Sequence, residues 1–174
     1  MNAKILSLSL ALAACSGITT QVRTTPGANL MAYHTFAWAP PEPGRVDTPG
    51  HQAIRTSLEQ NLAQRGIVAG QPPDFLIAYH TRQRQRTEVY PTGFYGGYYG
   101  YYGGYGYPDV RQYTEGTLII DFIDPRTHEV FWRGTASAAL SHPDNPDPNQ
   151  LAKAVSKLLA KYPSQVAGAG RTHL

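Results

Sequence analysis

The alternation of apolar and polar residues is clearest between Thr114 and Leu140, in TEGTLIIDFIDPRTHEVFWRGTASAAL. Leu118, Ile120 and Phe122 alternate with Thr117, Ile119 and Asp121, and Val130, Trp132 and Gly134 alternate with Phe131, Arg133 and Thr135. A period of two marks strands with two distinct faces. The intervening Asp124-Pro125-Arg126-Thr127-His128 reads as a turn, because proline fixes φ and an aspartate can bond its own backbone two residues on. The stretch therefore predicts a β-hairpin. Pairing Leu118 with Ala136 and Phe122 with Trp132 sets Asp121 opposite Arg133. That predicts a cross-strand ion pair on the outer face of the sheet, worth a few tenths to about 1 kcal/mol.

The remaining elements follow from the same patterns. Tyr33 to Trp38 alternates and is stopped by Pro40-Pro41 and Pro43-Gly44, which makes a first strand. Thr48-Pro49 looks like a cap with proline in the first turn, and Ile54, Leu58 and Leu62 form one apolar stripe before Gly66. This predicts a helix from about Pro49 to Arg65. Asp74 to His80 is a short apolar run after Pro72-Pro73, a buried strand. Its continuation, Thr81 to Glu88, still alternates but is polar throughout, with Arg82, Arg84 and Arg86 on one face. A strand without an apolar face buries nothing, so this end should project beyond the core. After the hairpin, Asp147 can cap and Pro148 fits the first helical position, ahead of Leu151, Ala154, Val155, Leu158, Leu159 and Tyr162 at helical spacing. Pro163 ends that helix, and residues 164–174 have nothing to bury and read as a disordered tail.

Two amphipathic helices and about four strands must bury their apolar faces on one another. The expected class is α+β, a two-layer sandwich in the order β-α-β-insert-β-β-α, with a mainly antiparallel sheet and both helices on one face. Residues 31–163 form the expected single domain. The insert at 90–113 holds nine of the chain's twelve tyrosines among glycines and no aliphatic residue before Val110. Glycine at that density is costly to order, so a flexible insert is expected.

At the other end, Met1 to Ala14 carries Lys4 and then an apolar run too short to span a bilayer as a helix. It reads as an export signal. Leu12-Ala13-Ala14-Cys15 resembles the lipobox of bacterial lipoproteins, which implies acylation of Cys15, the only cysteine. Several acyl chains on one N-terminus anchor stably, so the expected membrane contact is an N-terminal lipid rather than a span. In such lipoproteins an aspartate after the cysteine resembles an inner-membrane retention signal. Ser16 stands there instead, which implies the outer membrane with the domain in the periplasm. Residues 15–30, polar and aperiodic to about Ala28, are expected to be a lipidated tether. No intramolecular disulfide is available to the fold, whose stability must come from packing.

Tyr33 to Pro40 (YHTFAWAP), Pro73 to His80 (PDFLIAYH), Glu115 to Asp124 (EGTLIIDFID), Val130 to Gly134 (VFWRG) and Ala154 to Pro163 (AVSKLLAKYP), in that order behind the lipobox, together resemble the bacterial lipoproteins called domain of unknown function 4136. The resemblance spans nearly the whole mature chain. It implies an envelope lipoprotein of undetermined activity and carries over no catalytic residues.

Charge and candidate chemistry add little to that picture. The net charge is +3, or +2 once Lys4 is removed with the signal, too small to argue for a polyanion by itself. The six histidines lack the spacing of a zinc site, and Ser137 has no nucleophile-elbow glycines beside it. Asp121 and Asp124 lie three apart on a strand and so face opposite ways. The expectation is a non-enzymatic protein with no cofactor and no metal. The remaining candidates for binding are Arg82, Arg84 and Arg86 with Tyr95, Tyr98, Tyr99, Tyr101, Tyr102 and Tyr105. Guanidinium groups pair with carboxylates or phosphates, and tyrosine rings cover sugars or protein surfaces. Export removes nucleic acid from the candidate partners. An envelope protein remains, and so does an anionic envelope polymer such as peptidoglycan or lipopolysaccharide.

Overall fold

The structure, a computed structural model, describes residues 17–41, 46–90 and 109–163. Its elements in chain order are β1 (Thr19–Thr24), a short 3-10 helix (Leu30–Ala32), β2 (Thr35–Trp38), α1 (Pro49–Ala63), β3 (Val68–Ala69), β4 (Phe75–Tyr90), β5 (Asp109–Ile123), β6 (Val130–Leu140) and α2 (Pro148–Leu159). The strands form one six-stranded sheet in the order β1-β6-β5-β4-β2-β3. It is mixed, because β2 runs parallel to both β3 and β4 while the remaining pairs are antiparallel.

The α+β class agrees with the sequence pattern, and the count of about four strands is corrected to six. One addition is β1, which lies in the stretch expected to be tether and pairs with β6 from Thr19↔Ser137 to Thr24↔Trp132. An edge strand needs main-chain partners on one side only and a minimum of apolar contact. Here half-buried Ile18 and Val22 supply that contact, so no alternation is visible in the sequence. The other addition, β3, is only two residues long. A third correction concerns the insert, since 109–113 belong to β5. The rest of the insert, 91–108, lies outside the described residues, as do Cys15, the signal and the tail 164–174.

Local chemistry sets the element ends. Thr48 Oγ1 accepts the His51 N–H at 3.2 Å at the start of α1. At its far end Gly66, at φ 77°, turns the chain so that the Ile67 N–H reaches the Leu62 carbonyl at 3.0 Å, an arrangement that needs a left-handed residue. The Asp147 carboxylate accepts the Asn149 N–H at 2.9 Å, with Pro148 in the first turn of α2. In the β5–β6 turn Asp124 Oδ1 accepts the N–H groups of Arg126 and Thr127 at 2.8 and 2.9 Å, as the sequence predicts.

One face of the sheet buries Phe36, Phe75, Ile77, Leu118, Ile120 and Trp132 against Ile54, Leu58 and Leu62 of α1 and Val155, Leu158 and Leu159 of α2. The core is chemically divided. Its end nearest the β5–β6 turn is aromatic: Phe122 stacks on Trp132 at 4.5 Å and meets Phe75 at 4.7 Å, while Tyr33 lies 4.8 Å from Phe131. Gly134 makes room for this, because a Cβ there would stand 2.6 Å from Cη2 of Trp132. The buried Tyr162 hydroxyl closes that end by donating to the Leu30 carbonyl at 3.0 Å.

The hairpin register is the predicted one, with Leu118↔Ala136, Asp121↔Arg133 and Phe122↔Trp132. The ion pair on its outer face is different in kind from the exposed pair expected. Asp121 is only 4% exposed and accepts from Arg133 Nε at 2.6 Å and a terminal nitrogen at 2.7 Å. Ile119 and Ile123 stand on either side of it on the same face, and together with the arginine stem they screen the carboxylate from water.

Candidate functional site

Core burial along β4 ends at Tyr79, and every residue from Thr81 to Tyr90 is exposed. The strand nevertheless continues in register with β5, from Thr81↔Leu118 to Tyr90↔Asp109. β6 stops where Leu140 pairs with Thr114, so the five pairs from Arg86↔Tyr113 to Tyr90↔Asp109 form a two-stranded arm beyond the sheet. The predicted projection of this end is thus what the fold shows. A bare two-stranded ribbon is marginal in water. This one is held by side chains on its two faces.

On the outer face, which continues that of Asp121 and Arg133, Arg82, Arg84, Arg86 and Glu88 stand in sequence opposite Thr117, Glu115, Tyr113 and Arg111. Arg86 pairs with Glu115 at 3.2 Å. Glu88 accepts from the Tyr90 hydroxyl at 2.6 Å and from the Tyr113 hydroxyl at 2.8 Å, and the Arg111 guanidinium lies 5.7 Å from the Tyr90 ring centroid. These bonds leave an electrostatic signature. The two phenols, then Arg86 and Arg111, hold the Glu88 carboxyl below its ordinary range. Donation to Glu88 pushes the Tyr113 phenol up, and the Glu115 carboxylate raises the Arg86 guanidinium. On the opposite face Gln85 bonds Thr114 at 3.1 Å, and Gln83 donates to the Pro143 carbonyl at 2.7 Å, tying the base of the arm to the loop before α2. Val89 and Val110 face each other near the tip, 59% and 51% exposed.

Of the predicted binding residues, the structure brings Arg82, Arg84 and Arg86 onto one face, spaced by about 7 Å as alternate strand residues must be. Arg86 is neutralised by Glu115; among the described residues Arg82 and Arg84 form no ion pair. Tyr95, Tyr98, Tyr99, Tyr101, Tyr102 and Tyr105 lie outside the described residues. Sequence reasoning missed Glu88, Arg111, Tyr113 and Glu115 as parts of this surface. The one signal available was their placement on the strands flanking the insert. Among the described residues no group of three or more His, Cys, Asp or Glu side chains could hold a metal ion, and no helix is long and apolar enough to cross a membrane.

Residues 20–164 match the model of the family described as Domain of unknown function (DUF4136). The chain belongs to that family. No curated protein sequence matches this DUF4136 chain. Among solved structures it is similar to a PDZ domain protein from Parabacteroides distasonis, with a TM-score of 0.54 and 15% identity over 83% of this chain. The match covers 35% of that protein, so this chain spans about a third of its length. It is also similar to PelC dodecamers from Paraburkholderia phytofirmans in two crystal forms, with TM-scores of 0.45 and 0.44 and identities of 13% and 14%. Each covers 82% of this chain and, respectively, 95% and 96% of the PelC chain. At such identities the Parabacteroides protein shares the fold and nothing further follows from it.

Proposed function

We propose that this DUF4136 protein is a non-enzymatic lipoprotein of the outer membrane, anchored by acylated Cys15. Its periplasmic domain is a structural or interaction module that meets its partner through the β4–β5 arm. The observation that carries the reading is the extension of two strands beyond the last core residue, where every β4 side chain is exposed. Exposed strand of that length contributes nothing to the core, and it carries both signs of charge, with Glu88 and Glu115 among the arginines, which suits a protein surface of complementary pattern. The second reading is a binding module for an anionic envelope polymer, and one feature favours it specifically: Arg82 and Arg84 stand side by side on this face with no ion pair among the described residues.

A photoreactive residue at Thr87, compared with one at Lys153 on α2, separates these readings in the native envelope. An interaction module gives a discrete protein adduct from position 87 only. A polymer binder gives no discrete adduct, co-sediments with purified sacculi, and loses that co-sedimentation in Arg82→Ser/Arg84→Ser. Equal labelling from both positions together with no sacculus binding would reject the arm as the contact surface.

A further inference from the structure

The half of the core away from the rings is underfilled. Between the N-terminal turns of α1 and α2, the sheet and the 143–146 loop lies a cleft of about 330 Å³. Its floor on the sheet is made of small residues, Gly116, Ala136 and Ala138, and aliphatic Ile54, Leu118, Leu140 and Leu151 wall it, while His51, Gln83 and Asp144 bring polar groups to the same lining. No phenylalanine, tyrosine or tryptophan lines it, although the opposite end of the same core is filled by rings. Interiors pack to crystal density with few voids larger than a water molecule, so a space of this size among aliphatic walls is a site rather than slack. Thr117 and Ser137, bonded to each other at 3.0 Å, stand on the outer face of the sheet, while the His51 ring, Gln83 and Gln150 are spent on the carbonyls of Val46 at 3.0 Å, Pro143 at 2.7 Å and Ala139 at 3.2 Å.

The shape selects the ligand. Among the lining residues a flat aromatic would find only the His51 ring, which already meets Tyr79 edge-on, and a sugar would lose hydrogen bonds against Ile54, Leu118, Leu140 and Leu151. At roughly 30 Å³ for each water-sized group, the volume accommodates a chain of about ten methylenes. We propose that the cleft is a binding site for a single linear acyl chain of about that length, its polar head at the rim formed by the 143–146 loop, with Arg82 of the lining to offset Asp144 against a carboxylate head. That rim is fixed from the arm side by the bond from Gln83 to Pro143. The chain could come from a free fatty acid or from a membrane phospholipid, and the chemistry of the site is the same for both.

The test uses the full chain as Cys15→Ser, because Ile18 lines the cleft three residues beyond that cysteine and an attached acyl chain would compete. Saturated fatty acids from butyrate to laurate are titrated calorimetrically below their micelle concentrations. Affinity should rise about fourfold per added methylene, the factor expected for burying one, and level off near ten carbons at one site per chain. Ala138→Phe, which fills the cleft from a half-buried floor position, should weaken laurate binding at least tenfold with an unchanged denaturation midpoint. Leu140→Ala, which enlarges the cleft, should move the plateau to longer chains and keeps the proposal testable should Ala138→Phe fold poorly. Phosphatidylcholine vesicles replace laurate in a second arm. Binding of vesicles in preference to laurate, lost in Ala138→Phe, assigns the chain to a membrane lipid; binding of laurate alone assigns it to a free acid. No saturable binding of either, affinity independent of chain length, or no response to both substitutions would overturn the site.

Discussion

The Asp121–Arg133 pair is the place where the energetics depart most from those of an ordinary surface bridge. The carboxylate is 4% exposed and accepts both of its charged hydrogen bonds, at 2.6 and 2.7 Å, from one guanidinium whose own side chain is 49% exposed. Breaking a fully buried pair by removing one partner costs about 3 to 5 kcal/mol, whereas an exposed pair is worth about 1 or less. With one member buried and the other half in water, Arg133→Met should cost about 2 to 3 kcal/mol, most of it the penalty of an unpaired carboxylate. Asp121→Leu/Arg133→Met together should cost less than Arg133→Met alone, because the orphaned charge goes with its partner. A double-mutant cycle in urea should therefore return a coupling of about 1.5 to 2 kcal/mol. Arg23 stands opposite Arg133 on β1 and could swing toward Asp121 once Arg133 is gone, so the cycle is repeated in an Arg23→Thr background, where the coupling should be larger. Screening touches an exposed pair far more than a buried one, so the coupling should survive 0.5 M salt. A coupling under about 0.5 kcal/mol, or one that salt abolishes, would show that Asp121 is as solvated as a surface carboxylate.

Trp132→Ala should destabilise by about 3 to 5 kcal/mol and Leu158→Ala by about 2 to 5, read as denaturation midpoints, since both side chains are fully buried. Trp132→Phe should cost much less than Trp132→Ala, because the buried indole N–H has no hydrogen-bond partner and its loss removes an unmet donor. Burial, and then Tyr33, push the Tyr162 phenol above its ordinary value. Its contribution is therefore complete below about pH 10, the unfolded value, and fades as pH climbs beyond it. Tyr162→Phe should be less stable at neutral pH by about 0.5 to 1.5 kcal/mol, for the lost bond to Leu30, and should show a shallower decline above pH 10; parallel profiles would contradict this. Cys15→Ala should abolish labelling by palmitate and release the protein from the outer-membrane fraction, and retention of either would remove the lipid anchor.

How much of this was legible depends on how local each signal is. The hairpin register could be counted because its large apolar residues align in only one way and its turn is short. Asp121 could be placed opposite Arg133 by the same counting, but its burial arises from neighbours on both sides of its strand, which no alternation records. The arm shows the limit most plainly. Eighteen residues, 91–108, separate its strands, so nothing in the sequence fixes that Glu88 meets Tyr113 or that Arg86 meets Glu115. The parallel pairing of β2 with β4 passes through α1 and β3 and is equally non-local. The cleft draws walls from both helices, two loops and three strands, and a hole made of ordinary alanines, glycine and leucines has no motif to find.

β4 also shows why the two surfaces argued here can be tested apart. Its residues Phe75, Ile77 and Tyr79 face the helices, and the same face continues through Thr81 and Gln83 to the cleft and its rim; the intervening positions lead outward to Arg84 and Arg86. The pleat keeps these two sets on opposite sides of one main chain, and of the three β4 arginines of the outer face Arg82 alone also borders the cleft. Arg84→Ser should accordingly weaken whatever the arm holds while leaving laurate affinity within twofold. Ala138→Phe should do the reverse, leaving crosslinks from Thr87 intact. If instead Ala138→Phe changed the crosslinks, the route would run through Gln83, whose bond to Pro143 is the one side-chain link observed between the arm and the rim among the described residues. Gln83→Ala would then have to abolish the effect. An effect that persisted in Gln83→Ala would mean the sheet itself deforms, and the division of β4 into two independent faces would be wrong.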